Sequence, residues 1–344
     1  MTKTLCAAVW LVILLAIGTN QALAQTSLNS YNVNPNTVTV AGVSSGGFMA
    51  VQLQVAYSRS IFGTAVFAGG TYFCAQDNLL VWATPCSTGV GVPVASLVNI
   101  TESQAAAGEI DPVSNIGDKP IYMFSGTLDT IVAQPAMDDL HQYYQSFTNN
   151  NFITYNNFTP AAHSWVTPNG VNACSVLAPP FINTCEIDPE RTFLTMFYGA
   201  LNPRHAGSLG GSFIQFNQNQ FCPNGNCTSI DMDSSAWVFV PESCAQGSAC
   251  RLVIALHGCL NNQQAVGLTF IQHSGINEWA DGNNIVVLYP QTIASIVPAN
   301  SEGCWDWWGY TGPNYALKSS QQMSAIMAEV NRLTGGQERF LTHP

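Results

Sequence analysis

The sequence predicts an α/β fold, a mostly parallel central sheet flanked by helices. Three observations carry that expectation. Short apolar, β-branched runs alternate along the chain with segments of helical pattern. Hydrophobic residues make up 47% of the 344 positions, enough to fill a sizeable core. Only 8% of positions are charged, against about 25% in an average soluble protein, which excludes a salt-bridge-laced helical assembly.

Strands are expected at Thr37–Ala41, Thr64–Phe67, Ile121–Phe124, Ile153–Phe158, Leu252–Leu256 and Ile285–Tyr289. Helices are expected from about Gly46 to Ser58, Ala136 to Ser146, Gly275 to Asp281 and Ser319 to Leu333. The segment Asn202–Ser235, rich in Asn, Gly and Gln, reads as an exposed excursion. No internal repeat occurs, and no long Pro-, Thr- or Ser-rich linker marks off an appended module. Residues 25–344 are therefore expected to form one domain, acting as a monomer.

Residues 1–24 belong to export. Lys3 gives a positive start, Ala7–Ile17 is an apolar run, and Ala22-Leu23-Ala24 is the small-x-small pattern of a cleavage site. The apolar run is shorter than the roughly 20 residues of a spanning helix, so a secretory signal peptide is preferred to a membrane anchor. The mature chain is expected to be extracellular, or periplasmic in a bacterial host. Cysteine usage agrees. Apart from Cys6, ten cysteines remain, and an even count in an exported chain reads as a disulfide framework. Cys74 with Cys86, Cys174 with Cys185, Cys222 with Cys227, and Cys244 with Cys250 are close sequential couples, which leaves Cys259 and Cys304 for each other. Sequence alone leaves this connectivity open.

A formal net charge of −11 is the wrong sign for nucleic acid or anionic lipid, and a neutral substrate fits better. The histidines lie far apart and no Cys-x-x-Cys occurs, so no metal is expected.

Chemistry begins at Gly42-Val43-Ser44-Ser45-Gly46. A Gly-x-Ser-x-Gly pattern alone is weak, and its bland reading is a Gly/Ser turn. Here it follows a strand and opens a helix, the strand-turn-helix of a nucleophile elbow with Ser44 Oγ exposed. Such a serine needs a base held by a carboxylate. Asp129 follows the strand Ile121–Phe124, and His163 follows the next strand, in the chain order Ser, Asp, His of the α/β-hydrolases. His205, in a Pro-Arg-His-Ala-Gly loop, is the main rival base, and Asp306 is the rival carboxylate, read as fixing a loop. His141 and His273 fall in helical sequence and His343 near the chain end. The oxyanion of an acyl transfer needs two amide donors. Ser45 N–H is one candidate, and Cys259 N–H, after the strand Leu252–Leu256 and His257-Gly258, is the other. His257 itself admits a reading as a base, but His-Gly behind a buried strand reads as structural.

An oxyanion strand ordinarily precedes the elbow, and here it follows it. The chain supplies its late strands first, which implies a circularly permuted α/β-hydrolase fold, permissible because the ends of compact domains are often close. The segment Leu252–Trp308, with His257-Gly258-Cys259, Ile285–Pro290 and Cys304-Trp305-Asp306-Trp307, resembles the polyhydroxybutyrate depolymerase and related esterase superfamily, as does Gly42–Ala50. The reversed order is similar to the single-domain, circularly permuted poly(3-hydroxybutyrate) depolymerases. The resemblance covers most of residues 35–335 and is weakest between Thr167 and Trp237. It implies a triad of Ser44, Asp129 and His163, an oxyanion hole of Ser45 and Cys259, and no cofactor. The linker and separate polymer-binding domain of the multidomain depolymerases are not seen.

In the aromatic cluster Trp305, Trp307, Trp308 and Tyr310, core packing competes with substrate contact. Trp307, and after it Trp305, are expected to touch substrate. The expected activity is that of a secreted serine esterase hydrolysing poly(3-hydroxybutyrate)-type polyesters to 3-hydroxyacid monomers and oligomers. A feruloyl or acetyl-xylan esterase would use the same triad, and a noncatalytic surface-binding protein is the reading from a different class. Three sequons, at Asn99, Asn157 and Asn226, matter only in a eukaryotic secretory pathway.

Overall fold

A computed structural model describes residues 26–78, 82–297 and 300–336. The expected signal peptide and His343 lie outside them. The described strands are β1 (Val33–Val43), β2 (Gly63–Phe67), β3 (Ile121–Phe124), β4 (Ile153–Asn156), β5 (Trp165–Thr167), β6 (Asn172–Ala173), β7 (Ile182–Thr184), β8 (Ser212–Asn217), β9 (Ser235–Val240), β10 (Cys250–Leu256) and β11 (Ile285–Tyr289). Eight of them form one sheet in the order β4-β3-β2-β1-β10-β11-β9-β8, and β5-β7-β6 make a small second sheet.

From β4 to β11 the large sheet is parallel. Its middle strands are buried on both faces, which is why they read as continuous apolar runs rather than alternating ones. Successive residues point to opposite faces. Val40, Val66, Met123 and Ile254 enter one core, with helix α1 (Ser45–Ala56) and the helices Gln134–Gln145 and Gln321–Leu333 over it. Ala41, Phe67, Tyr122 and Val253 enter the other, beneath the helices Pro189–Tyr198 and Ile276–Asp281. Every residue of α1 is buried, as suits a helix apolar on all sides.

The structure adds elements that the sequence pattern did not reveal. β8 and β9 extend the sheet antiparallel to β11, so the segment expected to be an exposed excursion contributes an edge strand. Its half-exposed side chains mix polar and apolar types, which hides the strand signal. The helices Val94–Ala106 and Pro189–Tyr198 are also additions. Among the described residues no helix is long and apolar enough to cross a membrane.

Five disulfides join Cys74–Cys86, Cys174–Cys185, Cys222–Cys227, Cys244–Cys250 and Cys259–Cys304. The last spans 45 residues and ties the loop after β10 to the tryptophan-rich segment. Register completes the frame for the site. Gly42 of β1 lies between Val66 of β2 and Leu256 of β10. The loops leaving β1 and β10 therefore start side by side.

Candidate active site

Ser44 stands where β1 ends and α1 begins. Its backbone, φ 58° and ψ −124°, is in a region that L-residues avoid, and such strain costs on the order of 1–3 kcal/mol and persists only where the surroundings enforce it. Ser44 N–H donates to Phe67 O at 2.9 Å and Phe48 N–H to Ser44 O at 3.0 Å. The flanking glycines are steric requirements. A methyl at position 42 would lie 2.1 Å from Gly46 O, and one at 46 would lie 2.4 Å from both Leu256 O and His257 O. Gly46 thus lets the backbone after β10 close against the elbow. Gly46→Ala is expected to destabilise the fold by roughly 3 kcal/mol through backbone overpacking. It should also lower turnover about 100-fold as the loop moves by about an ångström. Urea unfolding and ester hydrolysis check the two effects, and a variant of wild-type stability and rate would contradict them.

Asp129 and His163 come from loops laced to one another. Thr127 N–H donates to Thr159 O at 2.9 Å and Leu128 N–H to Ala161 O at 3.1 Å. A methyl at Gly126 would lie 2.1 Å from Ala161 O, so only glycine permits this approach. Asp129 Oδ1 accepts from Ile131 N–H and Val132 N–H at 2.9 Å each. Its Oδ2 faces His163 Nδ1 at 2.8 Å. Both residues are buried. The carboxylate needs a donor, so Nδ1 carries the proton, and Nε2 is left toward the cavity that His163 shares with Ser44.

The His257–Gly258 segment passes directly over the elbow. A methyl at Gly258 would lie 3.1 Å from Ser44 Cβ, and Cys259 lines the same cavity. Among the described residues neither Ser45 N–H nor Cys259 N–H has a hydrogen-bond acceptor. Two open amides beside a serine hydroxyl, one at the positive end of α1, make a site suited to a developing oxyanion. His257 is fully buried. Its Nδ1 is 2.8 Å from Gly258 O, and its Nε2 accepts from Thr292 N–H at 3.3 Å. Burial lowers its pKa to about 4, against the smaller opposing effect of the Gly258 hydrogen bond.

The cavity has a volume of about 520 Å³, and Phe48, Ile131, Leu177, Phe181, Trp307 and Trp308 give it largely apolar walls. Trp307 stacks on Phe48 with ring centroids 3.9 Å apart. Trp305 requires a correction. It does not line the cavity but is fully buried beneath it. Its Nε1–H donates to His257 O at 3.1 Å and its backbone N–H to Ser45 Oγ at 3.3 Å, so it supports the loops around Ser44. Asp306 accepts from the amides of Trp308, Gly309, Tyr310 and Thr311, which fixes the aromatic loop. His205 lies elsewhere, with Asp281 and Ser208 O. His141 packs on Tyr155, and His273 ends a short helix. Phe48 escaped the sequence reading as a cavity wall, although its place one turn into α1 was a usable signal. Leu177 and Phe181 carried none.

No family model matches the chain. It is 41% identical over 324 residues to a poly(3-hydroxybutyrate) depolymerase of Delftia acidovorans, covering 93% of this chain and 64% of that relative. The chain thus spans just under two thirds of that protein's length. It is 39% identical over 342 residues to a polyhydroxybutyrate depolymerase of Talaromyces funiculosus, covering 95% of this chain and 97% of the relative. Similar solved structures include the following two. One is a PHB depolymerase serine-to-alanine variant complexed with an R3HB trimer, with TM-score 0.85 and 37% identity over 91% of this chain and 100% of the other. The second is the PHB depolymerase from Penicillium funiculosum, with TM-score 0.85 and 38% identity over the same shares.

Proposed function

The chain belongs to the poly(3-hydroxybutyrate) depolymerase family, and on that premise we propose that it is a secreted serine esterase hydrolysing 3-hydroxyacid polyesters. One observation carries the reading: Ser44, His163 and Cys259 line a single apolar cavity, with His163 held by Asp129. Ser44 Oγ attacks the ester carbonyl while His163 Nε2 takes its proton, and Asp129 holds the ring and stabilises the imidazolium. The oxyanion is received by the Ser45 and Cys259 amides. His163 returns the proton to the departing hydroxyl end. Water, activated by the same imidazole, then releases the 3-hydroxyacyl group from Ser44. Five disulfides favour an oxidising compartment, in keeping with export of one domain starting near Gln25.

The test is product analysis on amorphous poly(3-hydroxybutyrate). Wild type should release 3-hydroxybutyrate monomers and oligomers, and Ser44→Ala should release at least about 10⁴-fold less. Hydrolysis of short aryl esters alone would leave the esterase and remove the polymer.

The topology supports a circular permutation. The elbow follows the central strand β1, whereas β10, carrying the second oxyanion amide, pairs beside it from the distant half of the chain. Tyr31 N–H donates to Leu333 O at 3.0 Å, so the first and last described segments touch, as joining and reopening such a chain requires.

Adsorption to an insoluble polyester needs exposed apolar surface beside the cavity. Ile131, Leu177 and Leu260 on its rim are 50%, 45% and 39% exposed. Ile296 and Val297, in the turn leading to the cavity-lining residues 300–302, are 90% and 89% exposed. Replacing both by serine is expected to reduce the protein retained on polymer film several-fold and to slow film hydrolysis more than hydrolysis of a soluble ester. Equal effects on both substrates would remove this turn from adsorption.

A further inference from the structure

The cavity around Ser44 is nearly uncharged. Among the described residues that line it, Glu302 is the single acidic group, and no lysine or arginine lines it. Glu302 is exposed, and one of its carboxylate oxygens lies within 4.8 Å of the Sγ atoms of Cys259 and Cys304. Its position is fixed to the oxyanion loop, because Leu260 N–H donates to Glu302 O at 2.7 Å. Described basic groups make their contacts elsewhere: Lys318 is 2.6 Å from Asp111, Arg204 is 3.6 Å from Glu278, and Arg251 lies over the Tyr198 ring. A negative charge on the wall of this cavity does not help to stabilise an oxyanion, so its presence calls for a different account.

The substrate chemistry supplies one. The interior of a polyester is neutral, but every hydrolytic event creates a carboxylate at one new end. A carboxylate brought into this cavity meets the exposed Glu302 with no lysine or arginine among the described lining residues to offset the repulsion of like charges. We propose that Glu302 determines specificity by turning away carboxylate-ended chains, so that the cavity takes esters with neutral flanking units and releases the acids it makes. The proposal rests on the polyester reading above and adds to it a discrimination by charge.

The experiment compares the 3-hydroxybutyrate trimer as free acid and as methyl ester, with wild type and Glu302→Gln, at about pH 8 where carboxylates are ionised. Wild type should prefer the methyl ester in kcat/KM. Glu302→Gln should reduce that preference about two- to five-fold, the range expected of one exposed charge pair, mainly by accelerating the acid. Added salt should reduce the wild-type preference and leave the variant's unchanged, because salt screens exposed charges. That second readout needs only wild type. The same ester-to-acid ratio in both proteins, or a wild-type ratio indifferent to salt, would overturn the role of Glu302 while leaving the polyester reading intact. A wild type inactive on both trimers and on film would overturn the polyester reading and this inference together.

Discussion

Ser44→Ala is expected to lower kcat on a soluble ester by about 10⁴- to 10⁶-fold while the protein stays folded. The magnitude follows from what remains. The oxyanion amides and the apolar cavity would still bind and polarise an ester, which leaves a residual rate above water but no acyl-enzyme. His163 would lose the hydroxyl it activates, so removing it as well should add little, as in any unit whose members act together. The melting temperature should move little. Ser44 N–H and C=O are bonded through the backbone to Phe67 and Phe48, and alanine keeps the same strained φ of 58°. A variant with near-normal turnover would remove Ser44 from the chemistry. A variant inactive because unfolded, seen by calorimetry, would show that the hydroxyl carries structural weight that the hydrogen bonds do not suggest.

The middle of the parallel sheet was legible because its strands are buried on both faces, although the half-exposed edge strand β4 is not. Gly63–Phe67 and Ile285–Tyr289 are buried throughout, and such runs stand out against any background. The antiparallel edge was not legible. In β8 the residues Ser212, Gln215 and Asn217 face partly to solvent, and an edge strand of that composition looks like a loop. Candidate site residues could be nominated where a local pattern marks them. Ser44, Asp129 and His163 each follow a strand run, and it is that placement, not chain order, that separates His163 from His205. Trp305 was misread because nothing in Cys-Trp-Asp-Trp-Trp says which ring turns inward. The structure decides it through two hydrogen bonds, from the ring Nε1–H to His257 O and from the backbone N–H to Ser45 Oγ, that join segments remote in sequence. Glu302 gave no sequence signal, since its meaning depends on the lack of lysine and arginine among the described residues that line the cavity.

The second large effect concerns His257, which should couple acid stability to catalytic geometry. Gly258 O can only accept and Thr292 N–H can only donate, so a neutral ring with its proton on Nδ1 satisfies both. Protonation would set a second N–H against Thr292 N–H and turn it to Thr292 Oγ1, 3.4 Å away. The folded-state pKa is about 4, lowered from 6.5 chiefly by burial. Between these values the unfolded chain binds a proton that the folded chain refuses. The contribution is fully present above pH 6.5 and is lost as pH falls toward 4, by on the order of 3 kcal/mol. Buried Glu190 and Glu329, whose pKa values burial raises, act with the opposite sign, so the difference between two proteins is the quantity to measure. His257→Asn keeps a short donor for Gly258 O but cannot titrate, and its stability relative to wild type should rise by those few kcal/mol as pH falls from 7 to 4. The catalytic consequence follows from the planar trans peptide, in which the Gly258 C=O and Cys259 N–H point in opposite directions. Holding the carbonyl on His257 aims the amide away from His257, and the proposed oxyanion role of Cys259 depends on that orientation. His257→Ala should release that peptide and lower kcat about 10²- to 10³-fold with a smaller change in KM, the usual loss for one oxyanion donor, and His257→Asn should recover part of it. A relative stability independent of pH would mean that His257 does not carry the acid sensitivity, and an alanine variant with normal kcat would mean that the Cys259 amide is held by the disulfide alone.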